Sequence, residues 1–300
     1  MTSLSADSSR LTVHTDNPSL LKSLDKLDNL LKGYKSVVTA FSGGVDSTFL
    51  AIRARHILGP QHALAATANS PSLAVAELKD CAGLAARFDL SWVAVNTFEL
   101  NNPLYAANNH DRCFYCKSEL MDTLTPLAKA LSAAVVLGVN SDDLKEYRPG
   151  QEAAKQAGGQ FPLLEAGFTK QMIREASLLM DLPTHDKPAA PCLSSRVPNG
   201  TPITVTVLKK VAAAEANLRR LAIGNLRVRH HGELARIELG LEDLPVISAR
   251  RAEVVAAVKN AGYKYVTLDL EGFRSGSTAA PKPIDTGTKD QVRQPVKTCP

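Results

Sequence analysis

A chain of 300 residues with 44% apolar content is long enough for two domains, each with its own core. Its net charge of +5 is spread without a lysine or arginine block, which suits small anionic ligands and argues against nucleic acid. No apolar run reaches the ~20 residues of a membrane span, the polar first ten residues hold no secretory core, and five cysteines, an odd number, make no disulfide framework. The composition therefore predicts a cytoplasmic protein with reduced thiols.

Residues 1–17 are polar and predict an unstructured tail. Leucines at 20, 21, 24, 27, 30 and 31 then fall at helical spacing over Ser19–Leu31. Strands and helices alternate after that. Strands are expected at Val37–Phe41, Ala63–Ala68, Trp92–Val95 and Ala133–Leu137, and helices at Ser47–Leu58, Leu73–Phe88 and Phe114–Leu131. Such alternation predicts an α/β domain over 18–184, a parallel sheet with helices on both faces. Prolines at 183, 188, 191, 198 and 202 mark a change, with an ordered interdomain loop over 185–201. A smaller C-terminal α+β domain is expected over 202–275, with helices at Val205–Leu221 and Leu244–Ala261. Its strands are Leu226–His230, Leu234–Leu239 and Tyr265–Leu268, the first two joined by a His231–Gly232 turn. Residues 276–300, rich in Pro, Thr and Lys, predict a second unstructured tail.

The most informative segment is the octet Phe41-Ser42-Gly43-Gly44-Val45-Asp46-Ser47-Thr48, where a strand turns into a helix. Gly43 and Gly44 let the backbone turn sharply and approach an anion. The first-turn amides of the helix are unpaired donors at the positive end of its dipole, which suits phosphate. Ser42, Ser47 and Thr48 add hydroxyls, and Asp46 can orient a metal ion. The lysine-bearing loop of the common NTPases is absent. Ligands of parallel sheets bind beyond the carboxyl ends of the strands, and both the octet and the loop after Val139 fall there.

Cys113-Phe114-Tyr115-Cys116-Lys117 forms a CxxC, and Cys192 lies far along the chain in a proline-rich loop. A redox pair, a zinc site completed by His110, or three thiols on an iron–sulfur cluster with one open iron all fit this set. Cys81 sits in an apolar helical stretch and reads as a small core residue, while Cys299 lies in the tail. His230–His231 reads as a solvated turn.

The octet resembles the pyrophosphate loop of the ATP pyrophosphatase superfamily, whose fold is adenine nucleotide alpha hydrolase-like. Together with the CxxCK, Gly138–Asp143, Glu146–Gly150, Pro191–Gly200, Arg227–Arg229, Ala235–Leu239 and Tyr265–Leu270, the chain over 18–276 resembles the sulfur transferases that build the nickel-pincer nucleotide cofactor of lactate racemase. That resemblance implies adenylylation of a carboxylate of pyridinium-3,5-biscarboxylic acid mononucleotide by ATP and Mg2+. Sulfur then displaces AMP. Three cysteines imply the type with a 4Fe-4S cluster on Cys113, Cys116 and Cys192; other members sacrifice one cysteine sulfur, at the position of Cys192.

The resemblance also implies roles. Ser42, Gly43, Gly44, Asp46 and Ser47 would hold the ATP phosphates, Asp46 with magnesium, and adenine would lie near Thr67. Arg148, Arg196, Arg227, Arg229 and Asp142 would meet the substrate, since guanidinium pairs bidentately with phosphate and carboxylate. A helix cap is the alternative for Asp142 and Asp143, and a solvated face for Arg227 and Arg229. Lys117 would neutralise charge beside the reacting groups, and Glu215 and Glu238 would line a metal or subunit contact. Homo-oligomers formed through the second domain are a further implication. A tRNA thiolase of the same superfamily and a non-catalytic adenine-nucleotide module are the competing readings.

Overall fold

A computed structural model describes residues 13–273 except 146–147, 222 and 225. The tail expected over 276–300, with Cys299, and residues 146–147 of one quoted segment lie outside the described residues. Among the described residues no helix is long and apolar enough to cross a membrane.

Residues 13–17, expected to belong to a tail, are instead packed. Val13 joins the core, and Thr15 and Asn17 donate to Glu175. The Asn17 side chain accepts the amides of Ser19 and Leu20, and Pro18 occupies the first helical turn, where no N–H is required. Helix α1 (Pro18–Tyr34) follows, burying Leu20, Leu24, Leu27 and Leu31. The chain continues as β1 (Val37–Ala40), α2 (Val45–Leu58), β2 (Ala63–Asn69), α3 (Val75–Arg87) and β3 (Ser91–Asn96). The short helix α4 (Pro103–Ala106), the long helix α5 (Arg112–Ala130) and strand β4 (Ala134–Val136) come next.

The four strands are all parallel, in the order β3-β2-β1-β4. The chain runs outward from β1 to β3, then returns to add β4 on the other side of β1. The gap between β1 and β4 is thus the switch point where such sheets bind ligands. One face is covered by α1, α2 and the later helix α8, through Leu20, Leu27, Phe49, Ile52, Phe168 and Ile173. The other carries Leu120, Met121 and Leu124 of α5 against Val38 and Val135. Helix α2 is buried nearly all round, from Ser47 to Ala54, as befits a helix inside the molecule.

Three helices over 149–179 carry no assignment in the sequence reading: α6 (Pro149–Gln156), α7 (Pro162–Glu165) and α8 (Lys170–Leu179). After residues 180–204 the C-terminal unit consists of α9 (Val205–Arg219), β5 (Leu226–His231), β6 (Leu234–Leu239), α10 (Leu244–Ala249), α11 (Arg251–Lys259) and β7 (Tyr265–Leu268). The helix expected over Leu244–Ala261 breaks at Arg250, whose guanidinium is drawn to the Leu221 carbonyl. The strand order is β5-β6-β7, the first pair antiparallel and the second parallel. A separate core of Leu218, Val228, Ile237, Leu239, Val254 and Val258 holds this unit together. The expected architecture, an α/β domain with a smaller C-terminal α+β unit, is the observed one.

Candidate active site

The octet turns from β1 into α2 at the switch point. Gly43 has φ +67°, a left-handed conformation, and a Cβ there would fall 2.9 Å from the Cys81 sulfur. Conformation and space both demand glycine. Gly44 caps α2 without any side-chain bond to the first-turn amides, which leaves them to face the cleft. The Ser42 and Ser47 hydroxyls lie 3.0 Å apart, and the Ser42 amide donates to Ser47 Oγ. Gly138, just past β4, lies so close that a Cβ would sit 3.0 Å from the Ser47 nitrogen. A cleft of about 170 Å³ opens here between Ser42, Gly44, Ser47, Lys117, Gly150 and Phe161.

Asp46 is held by two groups that the sequence reading gave no role. Lys170 Nζ donates to its Oδ2 at 2.6 Å and Asn140 Nδ2 to its Oδ1 at 3.3 Å. Asn140 lies in a segment already conspicuous for Asp142 and Asp143. Lys170 follows Thr169, whose hydroxyl accepts the Met172 amide in the usual cap pattern. Asp142 accepts the Lys170 amide at 2.7 Å and so caps α8. Asp143 accepts the Asn140 amide and pairs with Arg148 at 2.7 Å. The two aspartates and Arg148, expected near substrate, thus shape the loop that carries Asn140 and Lys170. Thr67, expected near adenine, is buried; its hydroxyl donates to the Phe41 carbonyl and accepts the Trp92 indole N–H, so its side chain is engaged within the sheet.

Cys113 and Cys116 sit one turn apart on α5, the first exposed and the second half-buried. Cys192 precedes a short 3-10 turn, Leu193–Arg196. Burial, and next the charge of Cys192, push the Cys116 thiol up to about 12, with smaller contributions from Glu99 and Cys113 and opposition from Lys117. Cys116 packs against Leu193 and Tyr105 in one apolar cluster, which brings the loop that carries Cys192 to the CxxC helix. Tyr105 is buried beside the same thiols and bonds Ser194 Oγ at 2.7 Å, and the Leu193 amide donates to the Ser72 carbonyl. Glu99 accepts from Ser70 and Ser72 at 2.5 and 2.6 Å. Among the described residues no three His, Cys, Asp or Glu side chains converge on a single metal ion. His110 bonds Asn199. Cys81 is buried, as its apolar neighbours imply. His230, expected in a solvated turn, is buried against the Tyr263 hydroxyl.

The arginines expected to meet substrate do something else as well. Residues 185–196 form a strap between the two units, a loop that ends in the 3-10 turn Leu193–Arg196, and guanidinium groups hold its carbonyls one after another. Arg174 of α8 donates to His185 and Lys187, Arg227 to Ala189, and Arg196 to Pro191 and Cys192. Arg112 holds Ser194, and Arg229 holds Ser195. Arg196 also pairs with Glu215, and Arg229 with Glu238, both deeply buried. Glu215 and Glu238, expected at a metal or subunit contact, are the counter-ions of this frame. Glu238 also takes Arg236, and Glu215 takes Arg219.

Arg227 differs. Among the described residues it has no carboxylate partner, it lies 4.0 Å from the Phe273 ring centroid, and burial together with Arg196 and Arg229 lowers it to about 10. Its positive charge is the least compensated of the three, which is the condition for accepting an external anion.

A parallel sheet with a glycine turn, open first-turn amides and an acid–lysine pair at its switch point defines an α/β protein with an anion-accepting cleft. No protein-family model matches the chain. It is 49% identical over 257 residues to an uncharacterized protein of Synechocystis sp., spanning 84% of this chain and 96% of that one. It is 34% identical over 263 residues to the pyridinium-3,5-bisthiocarboxylic acid mononucleotide synthase of Lactiplantibacillus plantarum, spanning 87% of this chain and 94% of the synthase. An uncharacterized protein of Methanocaldococcus jannaschii is 30% identical over 259 residues, 85% of this chain and 98% of its own. The chain belongs to the family of the Lactiplantibacillus synthase.

Proposed function

We propose that the protein is an ATP-dependent sulfur transferase that adenylylates a carboxylate of pyridinium-3,5-biscarboxylic acid mononucleotide and replaces AMP with sulfur. The observation that carries this is the packing of Cys116 against Leu193 and Tyr105, which sets the Cys192 loop on the helix whose Lys117 lines the phosphate cleft.

A carboxylate resists nucleophiles because of its own negative charge; a mixed anhydride with AMP does not. Ser42, Ser47 and the first-turn amides of α2 receive the leaving pyrophosphate, where pre-set dipoles need no reorganisation. Lys170, paired with Asp46, adds a cation at the same place, and Asp46 would hold Mg2+, which would screen the phosphates. Lys117 stands between the cleft and the thiols, beside the carboxyl being activated. Arg227 takes an anionic group of the substrate and holds the carboxyl in line, where positioning lowers the barrier most.

The donor set suits a cluster. Burial holds the Cys116 thiol protonated, so ligation to a cation is what would make it a thiolate here. Cys113, Cys116 and Cys192 would hold a 4Fe-4S cluster, which when bound would supply sulfur from its open iron to the activated carboxyl. Association into homo-oligomers through the C-terminal unit belongs to the same reading.

Anaerobic protein given ATP and the pyridinium substrate is expected to release pyrophosphate and form thiolated product over several turnovers. Cys192→Ala is expected to keep the AMP adduct and lose the product. Normal thiolation by that variant sinks the role of Cys192. Pyrophosphate release that depends on tRNA and ignores the pyridinium substrate sinks the substrate assignment.

A further inference from the structure

We propose that Lys187 is a positioning residue that ties the occupancy of the phosphate loop to the placement of Cys192. The proposal rests on the nucleotide reading above and deepens it.

Lys187 leaves the strap and crosses to the back of the phosphate loop, where its ammonium donates to the Gly43 carbonyl at 3.3 Å. On α3 it meets Glu77 at 3.1 Å and Asp80 at 3.7 Å. It is thus shared between the turn that faces the cleft and two carboxylates outside it. A second arm runs in parallel: α8 holds Asp46 through Lys170 and, one turn on, holds the His185 and Lys187 carbonyls through Arg174. Both arms end at the same point on the strap.

From there the strap cannot absorb movement. Four residues lie between Lys187 and Cys192, a reach of at most about 18 Å over the five steps. Two prolines lie among them, and the carbonyls of Ala189, Pro191 and Cys192 are fixed by Arg227 and Arg196. Prolines stiffen the segment and guanidinium bonds fix its direction. A polyphosphate at the amides of α2 adds negative charge on the other side of Gly43. That charge draws the ammonium from Asp80 and reorients the Gly43 peptide to which it is bonded. The strap follows, and Cys192 with it. Sulfur delivery is thereby conditioned on a loaded phosphate loop, which protects the sulfur from discharge onto water or a stray electrophile.

Hydrogen exchange of the full-length protein, followed over the 185–191 peptide with and without α,β-methylene ATP, tests this directly. In the wild type the nucleotide is expected to slow exchange there by about fivefold, the lower end of ordinary coupling between sites. Lys187→Met is expected to abolish that response while the cleft peptides over 41–48 still respond, and Lys187→Arg to restore it. As a second readout, Lys187→Met is expected to release pyrophosphate with unchanged KM for ATP but to yield less thiolated product per pyrophosphate. A wild-type nucleotide response that survives in Lys187→Met overturns the proposal. So does a wild type in which the nucleotide binds and the strap does not respond, with the nucleotide reading left standing. Failure of ATP to bind the wild type at all removes both readings together. If Lys187→Met does not fold, Glu77→Gln with Asp80→Asn takes its place: with no carboxylate competing for the ammonium, exchange over 185–191 is expected to be slow already without nucleotide and to change little on its addition, and a response as large as that of the wild type overturns the proposal.

Discussion

The phosphate cleft and the strap are both rich in charge, yet they use it in opposite ways. In the cleft, Asp46 and Lys170 pair at 2.6 Å while their side chains keep 22% and 38% of their exposure. A pair so open costs little to part and can be traded for a ligand. At the strap, Arg229 and Glu238 pair at 2.7 Å with 2% and 0%. Charges so deep are held by each other and by the Ser195 carbonyl, and parting them leaves an uncompensated ion in the interior. The same residue types thus make a working site in one place and a rigid frame in the other, and burial decides which. Arg227 is the exception that links the two, buried like a frame residue but without a carboxylate hydrogen-bonded to it among the described residues.

The largest effect separating the regions is on stability. Arg229→Met is expected to cost about 3–5 kcal/mol, because Glu238 is left buried without its closest partner. Urea denaturation checks this, with Lys170→Met as the contrast, expected within about 1 kcal/mol of wild type. Equal losses in the two variants erase the distinction drawn here. Next, Lys170→Met is expected to slow substrate-dependent pyrophosphate release by about 100-fold, comparable to removing one pre-set donor from a developing anion. An unchanged rate makes the Asp46–Lys170 pair structural.

Arg227→Met sharpens the exception. A buried guanidinium lowered to about 10 is charged at some cost to the fold, so its neutral replacement is expected to leave the melting temperature level or higher. The KM for the pyridinium substrate is expected to rise about tenfold or more through loss of a charged hydrogen bond. A fall in melting temperature like that of Arg229→Met places Arg227 in the frame.

The smallest effect at neutral pH concerns the thiols of the metal-free protein. Exposed Cys113 is expected to be alkylated well before Cys116, whose rate keeps rising toward pH 12. The raised thiol binds its proton more tightly in the folded state. Its contribution to stability is therefore complete below about pH 8.5, where unfolded cysteine ionises, and is lost as pH climbs toward 12. Cys116→Ser is expected to flatten that alkaline slope in a pH series of thermal melts. An unflattened slope assigns it elsewhere.

Much of the fold was legible because its signals are local. Leucines on one stripe marked α1, and alternating apolar runs marked four strands of a parallel sheet. The octet was legible for the same reason: glycines, serines and an aspartate within eight residues define a turn into a helix whatever surrounds them. The helices over 149–179 were not, since α6 and α7 are short and their surfaces mixed. Lys170 and Asn140 lie 124 and 94 residues from Asp46, and no local pattern announces their meeting.

The sequence by itself determined the glycine turn of the octet from strand into helix, the two-part architecture and the supply of three thiols, because each is written in neighbouring residues or in composition. Only the tertiary structure decided which charges are free to act. The register of β5 against β6 puts Glu238 opposite Arg227 and diagonal to Arg229, whose guanidinium takes its carboxylate, and the strap sets its carbonyls against Arg174, Arg196, Arg227 and Arg229. Whether an arginine binds a ligand or its own chain depends on which acceptors burial leaves within reach, and that follows from the packing of distant segments.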